Sequence, residues 1–269
     1  MVNLGTILFP LYIYPTPGAW QPLLDAASAH PSITFQAVIN IYNGPGGDAC
    51  PNIDYAPAIR SLNAQSNIKT LGYVHTASRY NCGDSGIAIC PATQTQKAIQ
   101  ANITTYVNWA TKCASVGNPR VDGIFFDEAP TIPESVSYMS QISKFARQHI
   151  PGASVVFNPG SPVDAGYWPL ADLINVFEDT EQVYRTADIG AVDGQGAYSQ
   201  KTSLIVHTYT DGNSILSSDV DTILNLDHDA IAALFVTDLT VAQNPYGSFG
   251  SNWNAFVRDV ATVVAANQA

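Results

Sequence analysis

The sequence predicts one (β/α)8 barrel that covers residues 1–269 as a single domain. Strand-like runs alternate with helical or loop segments, most of these runs are continuously apolar, and no linker or low-complexity tract divides the chain. Continuous apolar runs are typical of parallel strands that are covered on both faces. Eight such strands in an undivided chain of 269 residues fit the usual size of this barrel.

The predicted strands are runs rich in apolar residues that end at turn-forming residues. In chain order they are Thr6–Tyr14, Ser32–Asn40, Lys69–Ala77, Val121–Asp127, Ser154–Asn158, Leu173–Glu178, Ser203–Tyr209 and Ala230–Thr237. The segments between them predict helices where apolar residues recur at helical spacing. These helices cover about Trp20–His30, Tyr55–Gln65, Thr93–Cys113, Pro133–His149, Ser218–Leu226 and Trp253–Asn267.

An open, doubly wound parallel sheet is the alternative to the barrel. Such a sheet usually carries a G-x-G-x-x-G phosphate turn after its first strand. The corresponding turn here reads YPTPGAW and lacks that glycine pattern, so we expect the closed barrel.

The chain is poor in charge and acidic, with 22 acids against 11 lysines and arginines and a net charge of −11. This charge excludes nucleic acid and anionic membranes as partners and suits a neutral or cationic one. It is equally typical of an extracellular protein whose charge keeps it soluble. No apolar run approaches the roughly 18 residues that a membrane span needs. The apolar N-terminus is expected to form the first strand, and in a secreted protein Met1 would replace a removed leader.

The four cysteines predict one disulfide among Cys50, Cys82 and Cys90, which lie in loop-like stretches. Cys113 ends a predicted helix roughly 30 Å along its axis from Cys90, so we expect it to be a buried free thiol. The cysteine and histidine spacings do not favour zinc, and we expect neither a metal nor another cofactor. Low lysine content, loop cysteines and a glycosylation sequon at Asn102 together favour secretion.

Polar and aromatic side chains mark the carboxyl end of nearly every predicted strand. Barrel enzymes collect their chemistry at this end, so we expect a binding site there. The residues expected to bind substrate are Tyr12, Asn40, His75, Asn158, His207, Tyr209 and Asp238. Aromatic residues in the loops either belong to the core or stack on sugar rings with their apolar faces; the candidates are Tyr80, Tyr167, Trp168, Tyr198 and Tyr246.

The segment VDGIFFDEAP ends a buried strand on two adjacent acids, Asp127 and Glu128. A buried carboxylate is costly unless it is paired or used chemically. Paired acids cleave glycosidic bonds: one protonates the leaving oxygen, and the other attacks the anomeric carbon or activates water. Glu178 ends a strand two positions further round the barrel and can face this pair. Since adjacent strand residues point to opposite faces, only one of Asp127 and Glu128 should aim into the mouth.

Simpler roles exist for each of these side chains. Any single acid could cap a helix or pair with a loop arginine, for which Arg79, Arg120 and Arg185 are available. His75 and His207 could bind a metal, but no H-x-H or H-E-x-x-H spacing supports this.

The ordered set ILFPLYIYP, YNGPGG, GYVHT, GIFFDE and NVFE resembles the spherulin-4-like proteins of fungi and their relatives, which are grouped as glycoside hydrolase family 135. The resemblance runs from Ile7 to the final helix. It implies a secreted or cell-wall-associated (β/α)8 glycosidase that cleaves internally in the N-acetylgalactosamine-containing stretches of galactosaminogalactan, a cationic polysaccharide. The family's acid pair falls on Asp127 and Glu128 and its later glutamate on Glu178.

The resemblance favours retention of the anomeric configuration, whereas the residues themselves do not decide which acid protonates and which attacks. We expect Glu178 on one side of the scissile bond and Asp127 or Glu128 on the other, in a monomer. Substrate assistance by the N-acetyl group stays open. The alternative is a non-catalytic glycan-binding or spore-wall structural protein, which would not require the three acids to converge.

Overall fold

The computed structural model describes residues 5–76, 94–187, 197–225 and 230–268. Eight parallel strands close into one barrel in chain order, which confirms the predicted (β/α)8 fold. The strands are β1 (Thr6–Leu11), β2 (Thr34–Ile39), β3 (Ile68–His75), β4 (Gly123–Asp127), β5 (Ser154–Asn158), β6 (Leu173–Thr180), β7 (Thr202–His207) and β8 (Ala233–Val236).

Seven helices are found in the described ranges. They are α1 (Gln21–Ala29), α2 (Tyr55–Asn63), α3 (Gln96–Lys112), α4 (Val136–His149), α5 (Glu181–Thr186), α6 (Asn213–Leu224) and α7 (Trp253–Asn267). None of these helices is both long and apolar enough to cross a bilayer. Helix α5 was not predicted, because its six residues are too few to show a helical period. Its start is set locally by the Thr180 hydroxyl, which accepts a hydrogen bond from the Val183 amide.

The strands are apolar on both faces because both faces are buried. On β4, Phe126 faces the helix layer, where its ring packs against Phe157 at a centroid distance of 5.9 Å. Phe125 faces the barrel interior, and its ring lies 6.3 Å from that of Tyr73. Each buried phenylalanine contributes about 1.5–3 kcal/mol of hydrophobic stabilisation. This double burial is the reason that the strands read as continuous apolar runs.

Strand β6 contains a bulge. Its pairing register with β7 shifts between Asn175 and Phe177. In a regular strand, residues three positions apart point to opposite faces. One extra residue restores the same face, so Asn175 and Glu178 both point to the barrel interior. The bulge therefore decides which acid of β6 reaches the mouth.

Cys50 and Cys113 form a disulfide, with their Cα atoms 5.7 Å apart. The prediction that Cys113 is a free thiol was therefore wrong. That prediction considered the distance of Cys113 from Cys90, which precedes α3 in the sequence. The loop after β2 instead places Cys50 beside Cys113, at the carboxyl end of α3. The carbonyl oxygen of Ala49 lies 3.7 Å from the Cys113 sulfur. Cys82 and Cys90 lie outside the described residues.

We expect the disulfide to stabilise the barrel by limiting the freedom of the unfolded chain. It closes a loop over a sequence separation of 63 residues, and disulfides of this kind typically contribute about 2–4 kcal/mol. The Cys50→Ser variant should lose about this much free energy of unfolding, measured by urea denaturation. In a variant that already carries Cys50→Ser, a second change, Cys113→Ala, should cost far less than it does alone. Additive losses would contradict a shared bond.

Candidate active site

Strands β3, β4 and β5 bring three polar side chains together at their carboxyl ends. Asp127 lies opposite His75 on one side and Asn158 on the other. The Tyr73 hydroxyl donates to Asp127 Oδ2 at 2.6 Å, and Asn158 Nδ2 donates to Asp127 Oδ1 at 2.7 Å. Both oxygens of this carboxylate are thus held by donors from the two neighbouring strands.

Glu178 joins the same group from β6. Asn158 Nδ2, which bonds Asp127, also donates to Glu178 Oε2 at 2.8 Å. The Tyr246 hydroxyl, from the loop after β8, donates to Glu178 Oε1 at 2.5 Å. Asp127 and Glu178 therefore converge on one amide nitrogen.

Glu128 turns away from this pair. Its backbone φ of 49° lies in the left-handed region, at a cost of roughly 1 kcal/mol for a residue with a side chain. Its carboxylate Oε2 lies 2.8 Å from His75 Nε2, and both side chains are partly exposed. Asp127 and Glu178 thus share the donor Asn158. Glu128, the other acid of the pair, contacts His75 and lies at the rim of the site.

Burial raises the pKa of the Asp127 carboxyl group above its ordinary value. The hydrogen bonds from Tyr73 and Asn158 oppose this rise, and the charge of Glu128 adds to it. Burial also raises the pKa of Tyr12, Tyr73 and Tyr246, so these phenols stay neutral, and Tyr73 and Tyr246 donate to the two acids.

Tyr12 fills the space between the two tyrosines that bond the carboxylates. Its ring packs edge-on against Tyr73 and Tyr246, at centroid distances of 5.7 Å and 5.5 Å. Three phenol rings therefore surround Asp127 and Glu178, and they lower the polarity of the site.

Asn40 and His207 each have a polar partner within their own loop. The Asn40 side-chain oxygen accepts from the Gly44 amide at 3.2 Å, which stabilises the turn after β2. His207 is buried, with its Nδ1 3.0 Å from the Thr208 hydroxyl. Burial lowers its pKa, and the charge of Asp179 opposes this. Their role in binding substrate stays a prediction.

Tyr209 is buried in an ion cluster around Arg185. Arg185 Nη2 donates to the Tyr209 hydroxyl at 3.0 Å and pairs with Glu181 at 2.8 Å. It also pairs with Asp211 and Asp219. The contacts that hold Tyr209 are therefore structural, and substrate binding by this residue stays a prediction.

Asp238 follows β8 and binds the loop before α7. Its Oδ2 accepts hydrogen bonds from the amide and the hydroxyl of Ser251. Arg120 is paired with Asp122, away from the convergent acids, and Arg79 lies outside the described residues. Among the residues that the structure describes, no cluster of three His, Cys, Asp or Glu side chains could hold a metal.

Of the two interpretations of Tyr167 and Trp168, the structure supports the core, because both side chains are buried. Trp168 stacks on Tyr198 at 4.7 Å, and its carbonyl accepts from Lys201, which lies just before β7. The rings of Trp168 and Tyr198 therefore lie near the start of β7, at the end of the barrel opposite the carboxylates, whereas the Tyr167 hydroxyl donates to the Ile132 carbonyl in the loop after β4. Tyr80 lies outside the described residues. Of the predicted loop aromatics, Tyr246 contacts an acid.

The prediction assigned no role to Asn175 and Ser203. The Asn175 amide donates to Asn158 Oδ1 at 2.7 Å, and the Ser203 hydroxyl donates to Asn175 Oδ1 at 3.2 Å. Both side chains are fully buried. The available signal was a polar residue within an apolar strand, in LINVFE and in SLIVHTY. The prediction also assigned no role to Tyr73, whose hydroxyl donates to Asp127.

The fold and this site define a (β/α)8 barrel with converging acids at its carboxyl mouth, an architecture that glycoside hydrolases also use. Residues 6–260 match the model of spherulation-specific family 4, Spherulin4, and the chain belongs to this family. This confirms the family resemblance.

Two relatives are similar over most of this chain. Spherulin-4 of Physarum polycephalum is 27% identical over 238 residues, which are 86% of this chain and 63% of that protein. The chain thus spans less than two thirds of that relative. The crystal structure of Aspergillus clavatus Sph3 in complex with GalNAc is 29% identical, with a TM-score of 0.81 over 96% of this chain and 98% of that one.

A more distant structure shares the fold alone. The endo-beta-N-acetylglucosaminidase from Cordyceps militaris is 10% identical, with a TM-score of 0.53 over 100% of this chain and 92% of that one.

The raised pKa of Asp127 predicts a pH-dependent cost to stability. An aspartic acid in the unfolded chain titrates near a pKa of about 3.9. Above the higher folded-state pKa, folding must bury an ionised Asp127; below the unfolded value the group is protonated in both states and the cost vanishes. The Asp127→Asn variant should therefore exceed the parent in free energy of unfolding at neutral pH.

Urea denaturation across the acidic range measures this difference. The gain should shrink as the pH falls and approach zero below about 3.9. Asp48→Asn, at an exposed loop position, controls for the loss of one carboxylate charge. A difference between Asp127→Asn and the parent that stays constant as the pH falls would contradict the raised pKa of Asp127.

Proposed function

We propose that this protein is a glycoside hydrolase that cleaves internally in an N-acetylgalactosamine-containing polysaccharide, with galactosaminogalactan as its substrate. The convergence of Asp127 and Glu178 on the Asn158 amide nitrogen carries the proposal. Two oxygens bonded to that nitrogen are at most about 5.5 Å apart, the sum of the two bond lengths. Retaining glycosidases hold their carboxyl groups about 5–5.5 Å apart.

The similarity to a structure solved with GalNAc supports an amino-sugar substrate. The net charge of −11 supports a polymer that is neutral or cationic through partial deacetylation. The Cys50–Cys113 disulfide supports secretion into an oxidising environment, because such bonds are rare in the cytosol.

In the proposed reaction Asp127 is the proton donor, since burial raises its pKa and favours the protonated form. Glu178 is the nucleophile, held by the Tyr246 hydroxyl and the Asn158 amide. Asp127 protonates the glycosidic oxygen, the bond from that oxygen to C1 breaks, and a Glu178 oxygen bonds C1.

The second step returns both acids to their starting states. Asp127, now ionised, takes a proton from a water molecule, and the water oxygen bonds C1 as the bond to Glu178 breaks. Both substitutions invert C1, so the overall configuration is retained. Glu128 and His75 lie beside the reacting acids at the rim, where we propose that they contact the sugar.

The Glu178→Gln variant should lose activity by roughly 10³-fold or more while it still folds and binds polymer. The measurement is the release of reducing ends from purified galactosaminogalactan at matched protein concentrations. Glu134→Gln makes the same chemical change at an exposed position and should match the parent. Polymer binding without reducing-end release by the parent would favour the non-catalytic glycan-binding alternative.

Azide rescue separates the roles of the two acids. With an activated aryl glycoside, Glu178→Ala plus azide should give a glycosyl azide of inverted configuration, since azide replaces the nucleophile. Asp127→Ala plus azide should give the retained product, since the covalent intermediate still forms. A retained product from Glu178→Ala would indicate that the N-acetyl group is the nucleophile.

Exposed aromatic residues after β1 and β2 support cleavage within a long chain. Tyr42 is 83% exposed and Tyr14 49% exposed, and both follow strands whose ends form the mouth. A flat exposed ring can stack on a pyranose outside the reacting position.

The Tyr42→Ala variant should therefore lose roughly five- to tenfold in kcat/KM on the polymer, because a stacked ring contributes about 1 kcal/mol. The loss should be smaller on short oligosaccharides that do not reach this ring. Ile215→Ala removes an exposed apolar side chain from α6 and controls for a general surface effect. An equal loss on short and long substrates would argue against an outer sugar site.

A further inference from the structure

A row of buried polar side chains lies beneath the two converging carboxylates. Asn158, Asn175 and Ser203 come from the neighbouring strands β5, β6 and β7 and are 7%, 0% and 0% exposed. Ser203 donates to Asn175, Asn175 donates to Asn158, and Asn158 donates to both acids. The row thus leads from the barrel interior to the acids.

The amide of Asn158 has two N–H donors and one carbonyl acceptor. Its nitrogen faces both acids, and its oxygen accepts from Asn175. An amide turned by half a rotation would place that oxygen against one oxygen of each carboxylate, and those two oxygens would lose their donor while Tyr73 and Tyr246 still bond the other two. The donor from Asn175 therefore selects the orientation that the acids require.

Asn175 has the same ambiguity, and its contacts with Asn158 and Ser203 limit it together. The Ser203 hydroxyl donates to Asn175 Oδ1, which leaves the Asn175 N–H group directed at Asn158. After a half-rotation of Asn175 the Ser203 hydroxyl could still accept from its N–H group, but the Asn175 oxygen would lie against the oxygen of Asn158, and neither of these two oxygens would have a donor. An unsatisfied buried polar group costs about 1–3 kcal/mol, so the whole row favours one orientation.

We propose that Asn175 and Ser203 are positioning residues that act through Asn158. By orienting its amide, they keep one donor nitrogen between Asp127 and Glu178 and so set the separation of the two carboxylates. Asn158 itself then serves the acids, in place of the substrate-binding role predicted from the sequence. The effect of these residues on catalysis rests on the proposed function. The orientation of the Asn158 and Asn175 amides does not depend on it.

The electrostatic surroundings of Asp127 come from several elements. Tyr73 and Glu128 act on Asp127 directly, and the charge of Asp127 acts in turn on Tyr12 and Tyr246. Glu178 shares the Asn158 donor, and His75, opposite Asp127 on β3, contacts Glu128. None of these groups belongs to the buried row. A change within the row should therefore reach Asp127 through Asn158 alone.

Carboxyl ¹³C NMR titration of protein labelled at Asp and Glu tests the proposal without requiring turnover. The Asp127→Asn and Glu178→Gln variants assign the two signals. In Asn175→Leu the Asn158 amide loses its anchor, and the midpoints of Asp127 and Glu178 should rise by about one pH unit as their donor is lost. Ser203→Ala should shift both in the same direction by less.

Thr202→Val is the matched control. Thr202 is the neighbouring residue of β7 and is also fully buried, but its hydroxyl donates to the Tyr198 carbonyl on the opposite face of the strand. The Thr202→Val variant should be less stable than the parent, but the titration midpoints of Asp127 and Glu178 should not change. Curves of Ser203→Ala and Asn175→Leu that superimpose on the parent would overturn the proposal. If Asn175→Leu does not fold, Ser203→Ala decides alone.

Activity supplies a second readout. In both variants kcat should fall and the acidic limb of the pH profile should move upward, with little change in KM, because the row does not touch the substrate. A parent without turnover but with the expected titration shifts would refute the proposed function and leave the positioning role supported. Turnover by the parent, together with unshifted titrations in both variants, would support the proposed function and refute the positioning role.

Discussion

The shared donor between Asp127 and Glu178 is the interaction on which the site depends. Two carboxylates held this close repel each other, and burial makes their charges more costly. A single Asn158 nitrogen that bonds both, with Tyr73 and Tyr246 on the outer oxygens, offsets part of this cost. The separation of the acids is therefore set by one amide group rather than by the acids themselves.

The barrel supplies what that amide needs. Parallel pairing places Asn158 opposite Asp127, and the bulge of β6 turns Glu178 and Asn175 to the same interior face. Polar groups inside a barrel are tolerated only when they are bonded to one another, as in the row that ends at Ser203. Burial of the surrounding apolar side chains supplies the folding free energy that offsets the cost of burying these polar groups.

The same features link stability to chemistry. An ionised Asp127 in an enclosed site costs folding free energy, while the raised pKa that accompanies this cost suits a proton donor at moderate pH. The left-handed backbone at Glu128 is a second local cost. It turns Glu128 toward His75, so that one strand end supplies two carboxylates with different partners.

The sequence by itself determined the eight strands, the acids at their ends and the family. Apolar runs and turn residues act locally, so they are visible along the chain. Tertiary structure alone decided which acids converge, because one extra residue in β6 reverses the face on which Glu178 lies. It also decided the roles of Tyr246, Asn175 and Ser203 and the pairing of Cys50 with Cys113. Each of these depends on contacts between segments distant in sequence, which no local pattern records.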